Sequence, residues 1–154
     1  MPETTRDSSR LTEPARRVVV AEVTDAVVDV AALAGAVDAP AAGAVVTFAG
    51  VVRDHDHGRA VTSIEYVAHP DAGAVLAQVV ADVAARLPVD AVACVHRVGP
   101  LGVGACALGV AVSAAHRQEA FEAAALLVDE VKARLPVWKR QVFADGTHEW
   151  VNCA

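Results

Sequence analysis

The chain has 154 residues, the size of one domain that can bury a core without a structural metal or disulfides. Its net charge of -6 argues against binding to nucleic acid or to anionic membranes, because both depend on clustered basic charge. Apolar residues make up 55% of the chain, yet no apolar run approaches the roughly 20 residues of a membrane span. We therefore expect a compact, cytoplasmic protein.

The first half of the chain alternates strand and helix signals behind a polar leader. Residues 1–17 mix acids, bases and prolines and lack the apolar stretch of a signal peptide, so we predict a flexible leader before one domain at 18–154. In chain order the domain is predicted to begin with a strand at 17–23, a helix at 25–34 closed by Gly35, and a strand at 43–53 in which Gly50 marks a bulge or a close backbone approach. A strand at 60–68 that pairs back and a helix opened by Pro70 that runs to Arg86 follow.

The second half continues this alternation. It predicts a strand at 90–99, a turn at 100–104, a strand at 105–113, a helix at 115–135, and two short strands at 137–143 and 148–152. The apolar face of the long helix is assigned to Phe121, Ala125, Val128, Val131 and Leu135. Pro136 ends that helix, because its ring blocks helical continuation. The predicted fold is a single α+β domain with a mixed or antiparallel sheet and flanking helices.

The two lysines of the chain stand close together in the sequence. Of 13 basic residues, only Lys132 and Lys139 are lysine, and they lie on either side of Pro136. Lys132 in the last helical turn also complements the helix dipole, which is a purely structural explanation. A lysine amine can nevertheless exchange a proton or attack a carbonyl, whereas a guanidinium stays protonated. A reactive-amine role and a structural role both remain open from the residues alone.

A second group of cations lies at the start of the long helix. His116 and Arg117 occupy its first turn, where unpaired N–H groups and the helix dipole favour an anion. Cations at that end do not stabilise the helix, but they can bind a phosphate or carboxylate ligand. The alternative is that the first turn is simply exposed to solvent. Arg53, at the end of the strand that contains Gly50, is a third candidate anion ligand.

Other polar clusters predict neither a metal nor a cofactor. The "DHDH" segment at 54–57 crowds four side chains into one turn and is interpreted as a solvated loop. The three cysteines show no CxxC spacing, and the glycines of "GPLGVG" match neither a P-loop nor a dinucleotide fingerprint. His96 is as compatible with a structural role as with a functional one, and Trp138 is expected to pack near the lysines.

Several segments together resemble one family. They are "GAVVTFAGVVRDHDHG", "HRVGPLGVG", "SAAHRQEAFEA", "VKARLPVWKRQ" and "DGTHEWV". In this order and spacing they resemble the large, catalytic subunit of molybdopterin synthase over about residues 18–151. The resemblance implies an α/β hammerhead-like fold and an enzyme without a cofactor of its own. Such an enzyme converts cyclic pyranopterin monophosphate (precursor Z) to molybdopterin, with sulfur delivered by the C-terminal thiocarboxylate of a small ubiquitin-like carrier subunit.

The resemblance also implies roles for particular residues. Lys132 and Lys139 match the catalytic lysines of the family, while Arg53, His116, Arg117 and Arg140 match its substrate-binding positions. Gln141 stands where the family commonly has glutamate. The assembly implied is a homodimer that binds two carriers as a heterotetramer.

Helix geometry adds an expectation of its own. Arg117 and Lys132 are fifteen residues apart in the sequence, or roughly 22 Å along one helix. That distance exceeds the span of a pterin phosphate, so we expect His116 and Arg117 of one subunit to complete the site of the other.

Two other classes of function fit the same residues. A lyase would form a Schiff base through Lys132 or Lys139 with a carbonyl substrate, and borohydride would trap the adduct. A non-catalytic module that binds a small anion would tolerate arginine at both lysine positions. A persulfide enzyme is disfavoured, because no cysteine lies in a basic loop that would lower its pKa.

Overall fold

The computed structural model describes residues 9–152, which form nine strands and three helices. In chain order these are β1 (Arg17–Thr24), α1 (Val30–Ala36), β2 (Ala44–Val51), β3 (His55–Asp56), β4 (Arg59–Ala68), α2 (Ala72–Arg86), β5 (Val89–Arg97), β6 (Gly99–Gly102), β7 (Cys106–Ala114), α3 (Arg117–Arg134), β8 (Val137–Phe143) and β9 (His148–Val151). The predicted α+β fold class is confirmed.

The strands form two sheets. The first has the order β1-β5-β7-β2, with β1 parallel to β5 and the other neighbours antiparallel, so it is a mixed sheet. The second has the order β3-β4-β8-β9 and is antiparallel, and β6 also pairs with β4. The register of β2 shifts between Gly50 and Val51, so the strand is irregular at the glycine where a bulge or a close backbone approach was predicted.

The first sheet is covered on both faces, and β5 shows how the sequence achieves this. Val92 and Cys94 belong to the main core with α2 and α3, whereas Ala91 and Ala93 belong to a smaller core under α1. Successive strand residues point to opposite faces, so a continuous apolar run buries both. His96 follows the same alternation as Val92 and Cys94, which directs it to the face of α2 and α3.

Three predicted elements of the domain were wrong in detail. The first helix begins at Val30, because Asp29 caps it by accepting a hydrogen bond from Ala32 N at 3.1 Å. β4 pairs with β6 and β8 in the second sheet, while β2 pairs with β7 in the first. The predicted turn after β5 contains β6, whose Leu101 is buried opposite Ile64 of β4. Sheet partners depend on distant residues, which local patterns do not specify.

The predicted apolar face of α3 was partly wrong. Phe121 is 61% exposed and Ala125 is also exposed, whereas Val131 and Leu135 are buried as predicted. The helix residues with the most complete burial are Ala120, Ala123, Ala124, Leu127 and Val131. Alanine lets the helix approach the sheet closely, so small side chains rather than the phenylalanine define the packed face.

The segment before β1 contacts the domain through two arginines. The Arg10 guanidinium pairs with the carboxylate of Asp90, and both side chains are buried. Arg16 Nη1 donates to the carbonyl oxygens of Ala84, Ala85 and Leu87 at 2.7–3.0 Å. A buried carboxylate needs such a partner, because an unpaired charge in the interior is costly. Residues 1–8 of the predicted leader, and Cys153, lie outside the described residues.

Within residues 9–152, no helix is both long enough and apolar enough to cross a membrane.

Candidate active site

A cleft of about 290 Å³ lies between the two sheets, beside the C-terminal end of α3. Its polar and charged lining residues are Arg53, His55, Asp56, Tyr66, His96, Lys132, Lys139 and Gln141. Phe48, Val52, Val61, Ile64 and Leu108 are among its apolar lining residues. The cleft therefore brings together three of the cations that the sequence singled out, namely Arg53, Lys132 and Lys139.

The two lysines reach the cleft from different elements. Lys132 lies in the last turn of α3, whose packed face fixes the direction of its side chain. Lys139 lies on β8, where it stands opposite Tyr66 of β4. Because side chains alternate along a strand, Lys139 and Gln141 share one face of β8. Lys132 and Lys139, which are seven positions apart in the sequence, therefore line the same cleft from two different elements.

Arg140 and Trp138 lie on the other face of β8. Arg140 Nη2 donates to Glu65 Oε2 at 3.0 Å, and the two residues are direct neighbours in the sheet. Trp138 is 36% exposed, so the expectation that it packs near the lysines was wrong. Arg140 therefore does not line the cleft of its own chain, whereas Lys139 does.

His116 and Arg117 lie at the opposite end of α3. They line a separate shallow cleft with Gly43, Ala44 and Glu119. His116 is the N-cap residue of α3, and its Nε2 is 3.3 Å from Ser9 Oγ. The helix is continuous from Arg117 to Arg134, as predicted. The structure therefore does not place these two residues and Lys132 in one site of the same chain.

His96 is a buried polar residue of the cleft whose role the sequence left open. It is 1% exposed, and its Nδ1 donates to the carbonyl oxygen of Arg97 at 2.8 Å. The Tyr66 ring meets it edge-on, with centroids 5.0 Å apart. Burial, opposed by the hydrogen bond to Arg97 and assisted by the positive charge of Lys132, lowers the pKa of His96 to about 4. The imidazole is therefore neutral at pH 7, with a lone pair on Nε2.

Asp56 is the one carboxylate among the residues that line the cleft. It lies on β3, directly before a two-residue turn in which His57 and Gly58 adopt positive φ values of 47° and 75°. Such turns match the twist of a hairpin and fix the residues that flank them. The nearby Gln141 side chain lowers the pKa of Asp56, and positive charge, including that of Lys139 and Arg53, acts in the same direction.

The cleft therefore presents three cations, one carboxylate and two histidines around an apolar floor, and the buried histidine, His96, is neutral. This arrangement suits a small anionic ligand, and an amine near such a ligand can donate or accept a proton. Among residues 9–152, no group of three or more His, Cys, Asp or Glu side chains is arranged to hold a metal ion. In the "DHDH" segment, Asp54 contacts His55 at 2.7 Å and Asp56 contacts Arg53 at 3.2 Å.

Asp56 and Gln141 line the cleft although the sequence did not predict either as a site residue. A usable signal existed for Gln141, because it stands two positions after Lys139 on a predicted strand and must share its face. For Asp56 the sequence offers only a polar turn. Its position depends on the pairing of β4 with β8, which the sequence did not predict.

Fold and cleft together define a class: a small α+β protein in which two lysines and an arginine line one cleft. A family model described as "MoaE protein" matches residues 23–134. The chain belongs to the MoaE family. Lys139, Arg140 and Gln141 lie C-terminal to the matched range.

Curated and solved relatives agree with this membership. The molybdopterin synthase catalytic subunit of Arabidopsis thaliana is 37% identical over 120 residues, which cover 77% of this chain and 61% of the relative. The crystal structure of molybdopterin synthase from Staphylococcus aureus matches with a TM-score of 0.79 and 29% identity, covering 85% of this chain and 96% of that one. A complex of subunits 1 and 2 of molybdopterin-converting factor from Helicobacter pylori contains a chain with the same fold (TM-score 0.65, 16% identity, 85% of this chain and 88% of that one).

Because His96 is buried, we expect the free energy of unfolding to fall at acidic pH. The pKa of His96 is about 4 in the folded chain, whereas an ordinary histidine has a pKa of 6.5. The unfolded chain therefore takes up a proton at a higher pH than the folded chain does. The free energy of unfolding should therefore fall as pH is lowered from about 6.5 towards about 4, by on the order of 3 kcal/mol in total from this residue. Urea unfolding at pH 7 and pH 4.5 should show a smaller loss for His96→Gln than for the native chain. His57→Gln, at a side chain that is 92% exposed, is the matched control. If the free energy of unfolding of His96→Gln depends on pH as that of the native chain does, His96 is not the source of the acid sensitivity.

Proposed function

We propose that this chain is the catalytic subunit of a molybdopterin synthase. It transfers two sulfurs to cyclic pyranopterin monophosphate (precursor Z) and so forms the dithiolene of molybdopterin. The sulfur arrives as the C-terminal thiocarboxylate of a small ubiquitin-like carrier subunit. The observation that supports this most strongly is that Lys132, Lys139 and Arg53 line one cleft, in a chain of the MoaE family.

The cleft suits this reaction electrostatically. The carrier terminus and the substrate phosphate are both anionic, and a cleft with three cations attracts such groups. In each transfer the thiocarboxylate sulfur displaces an oxygen from a substrate carbon, so a C–S bond replaces a C–O bond and a thioester joins substrate and carrier. Water then cleaves the acyl C–S bond of this thioester, which leaves the sulfur on the substrate and a carboxylate on the carrier. The departing oxygen needs a proton, and the anionic intermediates need a fixed positive charge. A lysine amine supplies the first, and lysine or arginine supplies the second.

Substrate binding requires residues that one chain does not bring together. Arg117 and Lys132 lie fifteen residues apart on the continuous helix α3, roughly 22 Å at the rise of an α-helix. We propose a homodimer in which His116 and Arg117 of one subunit complete the cleft of the other, with Arg140 as a further substrate-binding residue. A two-fold dimer then has two such sites and binds two carriers.

Replacing either lysine by arginine tests the reactive-amine role. Lys132→Arg and Lys139→Arg keep the positive charge and lose proton exchange and geometry, so each should lower the rate of dithiolene formation by about 100-fold or more. The assay contains precursor Z and the thiocarboxylated carrier. Arg134→Lys, in the same helical turn but paired with Asp82 on the surface, is the matched control and should retain activity. Normal turnover by either lysine variant would remove that lysine from the chemistry.

Subunit complementation tests the shared site. Arg117→Ala and Lys132→Ala should each be inactive alone. After subunit exchange, the mixed dimer has one site with both residues intact, so the mixture should recover activity. If activity fails to return although mass spectrometry confirms the exchange, both residues serve a site within one chain and the dimeric arrangement is wrong.

A further inference from the structure

His96 lines the buried end of the cleft from the interior of the first sheet. Its strand, β5, is paired on both edges, and His96 lies opposite Val23 of β1 and Leu108 of β7. Leu108 lines the cleft as well, and His96 itself is only 1% exposed. Because a strand paired on both edges is rigid, His96 presents its ring to the cleft from one defined position.

Two contacts fix the orientation of the His96 ring. Nδ1 lies 2.8 Å from the carbonyl oxygen of Arg97, and a carbonyl only accepts, so the proton of the neutral ring is on Nδ1. The ring of Tyr66 packs against the imidazole edge-on, at an interplanar angle of 79°. Within residues 9–152, the hydrogen bond of this ring is the one from Nδ1. Nε2 is therefore the nitrogen that remains for a ligand in the cleft.

A histidine at this position is costly for the fold alone. Val92 and Cys94 occupy the same face of β5 and contribute apolar side chains to the main core. An apolar residue at position 96 would continue this packing, whereas a buried nitrogen without a hydrogen-bond partner costs free energy. That cost is removed when a ligand donates a hydrogen bond to Nε2, which favours a binding role for the ring.

His96 offers the cleft a chemical group that its cations lack. Arg53, Lys132 and Lys139 only donate hydrogen bonds, so they suit the oxygens of a phosphate or carboxylate. A pterin ring also carries N–H groups, which need acceptors once the ring leaves water. The cleft volume of about 290 Å³ is close to that of small-molecule sites, and apolar side chains such as Ile64 and Leu108 suit the faces of a flat ring.

We propose that His96 is a substrate-binding residue whose Nε2 accepts a hydrogen bond from an N–H group of the pterin ring. This role rests on the proposed function and assigns the ring of the substrate to the buried end of the cleft. The side chain of Arg53 is 69% exposed and lies at the open side, where it is available to the phosphate. The cations then hold the charged end of the substrate, and His96 recognises its ring.

Two substitutions of His96 separate recognition from a structural role. The amide of Asn reaches the place of Nδ1 and keeps the bond to Arg97 but leaves nothing at Nε2, whereas the amide of Gln reaches the place of Nε2. His96→Asn should lower kcat/KM for precursor Z by about tenfold or more, and His96→Gln should stay within about threefold of the native chain. A ring needed only for its bond to Arg97 would give the opposite order.

His57→Asn is the matched control for these variants. The His57 side chain is 92% exposed and does not line the cleft, and Asn tolerates its positive φ of 47°. Its substitution should leave kcat/KM unchanged. Equal losses in the two His96 variants, or a larger loss in His96→Gln, would overturn the acceptor role.

Nitrogen NMR of the native chain with labelled histidine tests the contact without any substitution in the measured sample. The His96 signals are assigned by their loss in His96→Asn or His96→Gln. In the free chain Nδ1 should carry the proton and Nε2 should not. Precursor Z should shift the Nε2 signal towards that of a hydrogen-bonded nitrogen and leave Nδ1 nearly unchanged. A proton on Nε2 in the free chain would overturn the proposal.

Calorimetry on the same sample distinguishes this role from the proposed function. If precursor Z binds and the Nε2 signal does not move, the role of His96 is wrong and the proposed function is unaffected. If precursor Z does not bind, the proposed function is contradicted, and the role of His96 with it. Binding with the expected shift supports the role of His96 even if no dithiolene forms, a result that would contradict the proposed function alone.

Discussion

The geometry of the cleft depends on the abrupt change from helix to strand at Pro136. The α3 hydrogen-bond ladder continues to Leu135 N, which donates to Val131 O at 2.9 Å, and β8 begins at Val137. Pro136 itself accepts a hydrogen bond from His69 N at 3.0 Å, which fixes the bend against the end of β4. Since the proline forces the chain out of the helix, Lys132 stays on a helix and Lys139 is placed on a strand. Without this bend, the two lysines would lie two turns apart on one helix surface.

The positive charges of the cleft have different neighbours, and this difference supports the proposed chemistry. Asp56 is close to Arg53 and Lys139, whereas the buried group whose pKa responds to Lys132 is the neutral His96. The two lysines therefore have different neighbours, although both face the same cleft. A pair of chemically identical side chains in different surroundings can divide the tasks of charge stabilisation and proton transfer.

The elements that the sequence predicted well are those with strong local signals. The α3 helix, the stop at Pro136, the bulge at Gly50 and the final hairpin each follow from spacing, a ring constraint or turn residues. The errors arose where the partner of an element lies far away in the sequence. β4 was expected to pair back and instead joins β8, and Phe121 was expected in the core although alanines form the packed face of α3.

The same distinction separates the site residues. Lys132, Lys139 and Arg53 were singled out by residue type and position, and the structure brings these three to one cleft. Asp56 and Gln141 reach the cleft from β3 and β8, which lie on either side of β4, so no local pattern identifies the two together. His116, Arg117 and Arg140 lie outside the cleft of their own chain, and their proposed roles depend on a second subunit.

The proposed function depends on the transfer of sulfur from a carrier to a pterin at this cleft. The most direct measurement uses a carrier whose thiocarboxylate is labelled with a heavy sulfur isotope, incubated with precursor Z and the native chain. Mass spectrometry of the product should find two labelled sulfurs in each dithiolene, and none when Lys132→Arg and Lys139→Arg are combined. A product without labelled sulfur, or equal labelling with the double lysine variant, would contradict the account.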